Sequence, residues 1–136
     1  MPDLHVNLVT PEHDVLHTDV DQVTAPSVLG EVGILKYHLP LLAQLGAGPV
    51  GLFTGANKVE YYAVSGGFLE VDQDTVTILA DTAERWDHID VKRSKKALES
   101  ARKELEKLDY TDPRYAEQEA RARRAEVRLH VAELGR

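Results

Sequence analysis

The 136 residues contain no cysteine, which removes both disulfides and thiol chemistry. No apolar run approaches the roughly 18 residues that a spanning helix needs. The first residues include Asp3 and His5, where a secretory leader would carry a basic and then a greasy segment. A soluble, cytosolic chain is therefore expected. There is no internal repeat and no low-complexity tract. There is also no phosphate-cradling glycine loop of the Walker type, so a nucleotide would be bound here and not hydrolysed. Basic residues are scarce early: residues 1–90 hold 3 Lys and Arg against 14 Asp and Glu, a balance of −11. That argues against nucleic-acid binding by this part.

What is present begins with the reverse balance. Residues 91–136 hold 13 Lys and Arg against 9 Asp and Glu, or +4. Two electrostatically unlike parts imply unlike partners, and the basic part suits an acidic surface or a polyanion. Hydrophobic residues make up 43% of the chain, enough for a core, so global disorder is not expected.

The first part reads as β structure. Val64–Val71 and Thr75–Ala80 are rich in β-branched and apolar residues, and Asp72-Gln73-Asp74 between them tolerates turn geometry. Leu69 and Val71 share one face of the first run; Val76, Ile78 and Ala80 share one face of the second. Gly66-Gly67 offers nothing to pack, which marks a bulge or a close backbone approach. Leu4, Val6 and Leu8 alternate with His5 and Asn7 as in a half-buried strand. Val15 to Ala25 reads as one or two strands ended by Pro26. Gly30–Leu35 reads as a turn feeding a short strand. Val50–Phe53 and Val59–Val64 flank Thr54-Gly55-Ala56-Asn57-Lys58, another hairpin signal. Many short strands with frequent turns predict an antiparallel sandwich or barrel.

At Ile89-Asp90 the period changes. Leu98, Ala101, Leu105 and Leu108 recur on one face of a helix, with Asp90 as N-cap. Asp109-Tyr110-Thr111 breaks it. Asp112 caps a second helix with Pro113 at its first position, and Gly135 stops it. Tyr115, Gln118, Ala122, Ala125, Leu129 and Ala132 form one stripe of that helix. Ala116, Ala120, Val127, Val131 and Leu134 form a second, roughly opposite. The short connection predicts an antiparallel αα-hairpin. One stripe meets the first helix; the other needs a further surface, such as the β part or a partner. Half of the first stripe is alanine, and only Leu129 offers burial on the scale of roughly 1.5–3 kcal/mol. The hairpin is thus expected to be marginal alone. As one straight rod, residues 91–134 would reach about 66 Å, and folded as a hairpin about half that. A weakly held element with two such reaches suits a switch.

Taken by themselves, Glu31 reads as a solvated turn charge, His38 as a hydrogen-bonded structural residue, and the arginines of the second helix as a solvated basic face or as phosphate ligands. His13, His17 and His38 leave open a small metal-dependent β-sandwich enzyme. The arginine set leaves open a free-standing nucleotide-binding module.

Several motifs, in order, resemble the epsilon subunit of bacterial F-type ATP synthase, which corresponds to the delta subunit of the mitochondrial enzyme. They are Gly30-Glu31-Val32-Gly33-Ile34-Leu35, His38-x-Pro40-Leu41-Leu42, Val64-Ser65-Gly66-Gly67-Phe68-Leu69-Glu70-Val71, Val76-Thr77-Ile78-Leu79-Ala80, Ala83-Glu84-Arg85 and Arg128–Leu134. The resemblance implies an α+β fold: an N-terminal antiparallel β-sandwich of about ten strands over residues 1–88, then an antiparallel αα-hairpin over residues 89–136. It implies a non-catalytic rotor subunit on the cytoplasmic face of the bacterial plasma membrane, in a proton- or cation-translocating synthase. Its partners would be the gamma subunit, the c-ring and, through the hairpin, the alpha and beta head subunits. An extended hairpin would restrain ATP hydrolysis. Glu31 would meet the c-ring and His38 the gamma subunit; Lys36-Tyr37 stands where the family usually has Pro-Gly. No metal or cofactor is required. Some bacterial members bind ATP as a regulatory ligand through Ile-Asp-x-x-Arg-Ala, read here as Ile89-Asp90-Val91-Lys92-Arg93-Ser94. Glu84, Arg124 and Arg128 match further ATP-contacting positions, whereas Ser100 stands where the binders often carry another arginine.

Overall fold

The computed structural model describes residues 3–55 and 57–136. Eight strands come first: β1 (Leu4–Val9), β2 (Asp14–Val20), β3 (Gln22–Ser27), β4 (Gly30–Ile34), β5 (Leu41–Gln44), β6 (Gly48–Thr54), β7 (Lys58–Asp72) and β8 (Thr75–Arg85). A 3-10 turn at Trp86–His88 leads into α1 (Val91–Lys107) and α2 (Pro113–Leu134). Ala56, in the turn expected between β6 and β7, lies outside the described residues.

The strands form one sheet in the order β2-β1-β8-β7-β6-β3-β4, with β5 added to β7. The sheet doubles over so that both halves feed one core. The strand that makes this happen is β7, 15 residues long. Its first half pairs with β6 and its second with β5, while β8 runs along its other side. Gly66 and Gly67 sit between the halves at φ +64° and +105°. A Cβ on Gly67 would overlap the Leu79 carbonyl oxygen, so the glycine pair serves a close backbone approach. The register of β7 with β8 is the same on either side of it, so no residue is inserted. The turn Gln73-Asp74 also takes positive φ at both positions, as a tight hairpin turn requires.

The alternations expected from sequence are realised. Leu4, Val6, Leu8, Leu69, Val71, Val76, Ile78 and Ala80 all face the core, joined by Val20, Val23, Ile34, Val50 and Val64. Among the described residues eight strands are present, close to the roughly ten expected. Two details differ from expectation. The pairing of β1 with β8 is parallel, in an otherwise antiparallel sheet. Pro26 lies inside β3 instead of ending it; pairing of β3 with β6 has already stopped at Thr24, so the missing N–H leaves no gap on that side.

The helices stand on their caps. Asp90 Oδ1 accepts from the Arg93 amide at 3.0 Å, and Asp112 Oδ1 from the Arg114 amide at 2.9 Å. Ala101 of α1 and Ala122, Ala125 and Ala132 of α2 are buried, the small side chains that let two helices approach closely. The second stripe of α2 divides. Val131 is fully buried and Val127 half-buried against Ala63, Ile89, Tyr61 and Trp86, whereas Ala116 and Ala120 face outward. Among the described residues the hairpin thus packs on the sandwich through Val91 at the start of α1 and near the end of α2. There a Cβ on Gly135 would overlap the Trp86 indole, so the glycine is required by contact and not by its φ of −77°.

Candidate functional site: an arginine-lined cavity at the sandwich–hairpin junction

Where β8 ends, α1 begins and α2 returns, the three segments enclose a cavity of about 410 Å³. Glu84, Asp90, Arg93, Ser94, Arg124 and Arg128 line it, together with Ala97 and Arg121. All five residues singled out for nucleotide contact therefore share one space. Each arrives by a separate cause. Glu84 is held in β8 opposite Ala63. Asp90 is fixed by capping α1, which places Arg93 in the first turn. Arg124 and Arg128, four apart, share a face of α2.

The wall carries four guanidinium groups against two carboxylates. Only one pair neutralises itself: Arg128 Nε lies 3.1 Å from Glu84 Oε1. That carboxylate oxygen is shut off from solvent without a well-aligned hydrogen bond. Ser94, which replaces the alanine of the motif, is buried and donates from Oγ to the Asp90 carbonyl at 2.9 Å. Its hydroxyl thus closes the helix start. Guanidinium forks match phosphate oxygens bidentately, while ionised carboxylates accept N–H and O–H donors. The chemistry of the wall fits a ligand with a polyanionic end and a donor-bearing end.

Two features went unread in the sequence. Arg121 joins the cavity from one turn earlier on α2; its spacing of 3 and 7 to Arg124 and Arg128 was the available signal. A smaller adjoining cavity of about 170 Å³ runs along the seam between β8 and α2, past Ser65, Thr82, Glu84, Arg124, Val127 and Arg128.

Glu31 and His38 lie elsewhere. Glu31 is exposed on β4 opposite Pro26, beside the hairpin tip where Leu29 is 97% exposed. His38 is half-buried after the turn Leu35–His38, its Nδ1 2.6 Å from the Leu39 carbonyl oxygen. Tyr37 occupies φ +67° there, the left-handed position that glycine fills in a Pro-Gly turn. Its amide is caught by Asp74 Oδ1 at 2.7 Å. Leu35, Tyr37, Leu39 and Leu42 all expose more than half of their surface around this turn. His17 is engaged with Asn7 and Asp14 on β1 and β2. Among the described residues no group of three or more His, Asp or Glu is placed to hold a metal ion.

The family described as ATP synthase, Delta/Epsilon chain, beta-sandwich domain matches residues 3–86. The chain is 48% identical over 132 residues to the ATP synthase epsilon chain of Halalkalibacterium halodurans, covering 97% of this chain and 98% of that one. The chain belongs to the ATP synthase delta/epsilon family. As a member of that family it is a non-catalytic chain of the synthase. The epsilon chain 2 of Syntrophotalea carbinolica is 42% identical over 132 residues, covering 97% of this chain and 95% of that one. Among solved structures, a chain of the Euglena gracilis mitochondrial ATP synthase OSCP/F1/c-ring assembly superposes with a TM-score of 0.83 at 26% identity, covering 98% of this chain and 82% of that one. A chain of the Tetrahymena thermophila central stalk and c-ring shares the fold at a TM-score of 0.63 and 20% identity, with 96% of each covered. This family member has no helix long and apolar enough to cross a membrane among its described residues.

Proposed function

We propose that this delta/epsilon family member is a rotor-stalk subunit of an F-type ATP synthase, with the sandwich as its fixed mount and the hairpin as its regulatory arm. The division falls between residues 1–88 and 89–136. The observation that carries the reading is the asymmetry of attachment. The sandwich has its own closed core, while the hairpin rests on it through a small cluster built around Val131, Ala63 and Ile89. An arm held that lightly is free to leave. The exposed apolar groups around His38, and the tip beside Glu31, are the surfaces that would seat on the gamma subunit and the c-ring, since exposed apolar patches mark contact sites. The released arm would reach the alpha and beta head subunits and restrain hydrolysis. The subunit would lie peripherally on the cytoplasmic face of the bacterial plasma membrane.

ATP is the regulatory ligand in this reading. Glu84 and Asp90 would take its donor groups, and Arg93, Arg124 and Arg128 its phosphates. Because α1, α2 and β8 each supply part of the wall, ATP binds only the folded-back arm and stabilises it. At 100 times its dissociation constant the gain is about 2.7 kcal/mol.

Titration calorimetry with ATP on the wild type and on Arg93→Ala tests the ligand. Heat with the first and a loss of affinity with the second is expected; no heat at millimolar ATP would refute it. Deleting residues 91–136 and reassembling the synthase tests the arm. Normal assembly with faster hydrolysis is expected, and failure to assemble would overturn the division of labour.

A further inference from the structure

Arg128, Arg124 and Arg121 follow one another along one face of α2, over about 10 Å of helix axis, and all three line the cavity. The wall is polar along that direction. Its inner end, where β8 meets α1, holds both carboxylates, Glu84 and Asp90, and there Arg128 is already engaged by Glu84 at 3.1 Å. Arg121 stands seven residues from Arg128 along α2, the furthest from that ion pair of the three arginines on this helix face. Phosphate is repelled by Glu84 and Asp90 and attracted by the arginines, so a nucleotide would lie with base and sugar towards the carboxylates and its terminal phosphate towards Arg121.

Arg121 is not committed elsewhere. Glu117 stands four residues before it, the favourable order for a helical ion pair. Yet among the described residues the arginines in ion pairs are Arg85, Arg102, Arg114 and Arg128. Arg93 is the only arginine that α1 contributes to the lining, so the outermost positive charge comes from α2.

Resting on the nucleotide reading above, we propose that Arg121 reads the terminal phosphate and sets the preference for a nucleoside triphosphate over a diphosphate. Arg93 and Arg124, further in, hold the phosphates common to both.

Calorimetric titrations of the full chain with ATP and with ADP separate the roles. Arg121→Ala should weaken ATP binding about tenfold, the low end for a charge-assisted hydrogen bond at an exposed site, while ADP affinity changes less than about twofold. Arg121→Lys, which keeps the charge and loses the fork, should recover part of the loss. Arg93→Ala should weaken both nucleotides. An equal effect of Arg121→Ala on ATP and ADP, or none on either, overturns the proposal and leaves the nucleotide reading standing. A wild type that binds neither nucleotide overturns both.

Discussion

Gly135→Ala offers a perturbation whose sign depends on the docked arm. The residue sits at the end of α2 with φ −77° and ψ −15°, ordinary helical values. On local grounds alanine there should stabilise by about 0.5–1 kcal/mol, because glycine loses more freedom on folding. The new Cβ, however, would overlap the Trp86 indole, and overpacking of this kind costs about 1–3 kcal/mol. The net expectation is a loss of about 0.5–2 kcal/mol. It falls on the attachment of the arm and not on the sandwich, whose core lies elsewhere. A loss of about 0.5–2 kcal/mol multiplies the opened population by roughly 2–30. Amide exchange followed by mass spectrometry reads this directly: peptides from residues 113–134 should exchange faster by that factor, and peptides from residues 68–80 should not change. In a Trp86→Ala background the obstacle is gone and the same substitution should become mildly stabilising. The two backgrounds should thus differ by about 1–3 kcal/mol, a coupling expected only of residues in contact. Slower exchange in Gly135→Ala with Trp86 present would refute the reasoning.

Three further outcomes are expected. Hydrogen bonds from the Arg114 side chain, and then from its amide, hold the Asp112 carboxyl down from 3.8 to about 2 in the folded chain. The stabilisation it gives the start of α2 is therefore complete above about pH 4 and lost as pH falls towards about 2. Exchange at residues 113–117 should quicken over that window in the wild type but not in Asp112→Asn, and identical pH profiles would refute it. Gly67→Ala combines φ +105° with overlap of the Leu79 backbone and should destabilise the sandwich by more than about 1 kcal/mol, read as a lower melting temperature. At Tyr37, with φ +67°, glycine should change stability by less than about 1 kcal/mol, because relieved backbone strain is offset by a looser unfolded chain. Valine, β-branched and poorly tolerated at positive φ, should lower the melting temperature; equal effects of the two would refute this account.

The parts of the fold that depend on near neighbours were legible. The alternation in β1, the β7–β8 turn, both aspartate caps and the alanine stripe of α2 all follow from spacing within a few residues. The parallel pairing of β1 with β8 joins segments some 70 residues apart, and no local pattern announces it. Pro26 misled because its effect depends on where β6 stops pairing, which is a tertiary fact. At the junction, Glu84, Asp90, Arg93, Arg124 and Arg128 were named through motif likeness. Arg121 was missed because the helix face turned towards the junction is set by how Val127 and Val131 dock, and the sequence leaves two stripes open for that role.

The contact between Trp86 and Gly135 also closes a circuit. The helical excursion leaves the sandwich at one point and its far end comes back to that same point. Fraying from the carboxyl terminus cannot creep inward turn by turn without first undoing this clasp. Once it is undone, what holds α2 to the sandwich is the small cluster around Val131 and the Arg128–Glu84 pair. Such a tether favours an abrupt release over a graded one, and it turns an ångström of slack at the base into a wide swing at the tip.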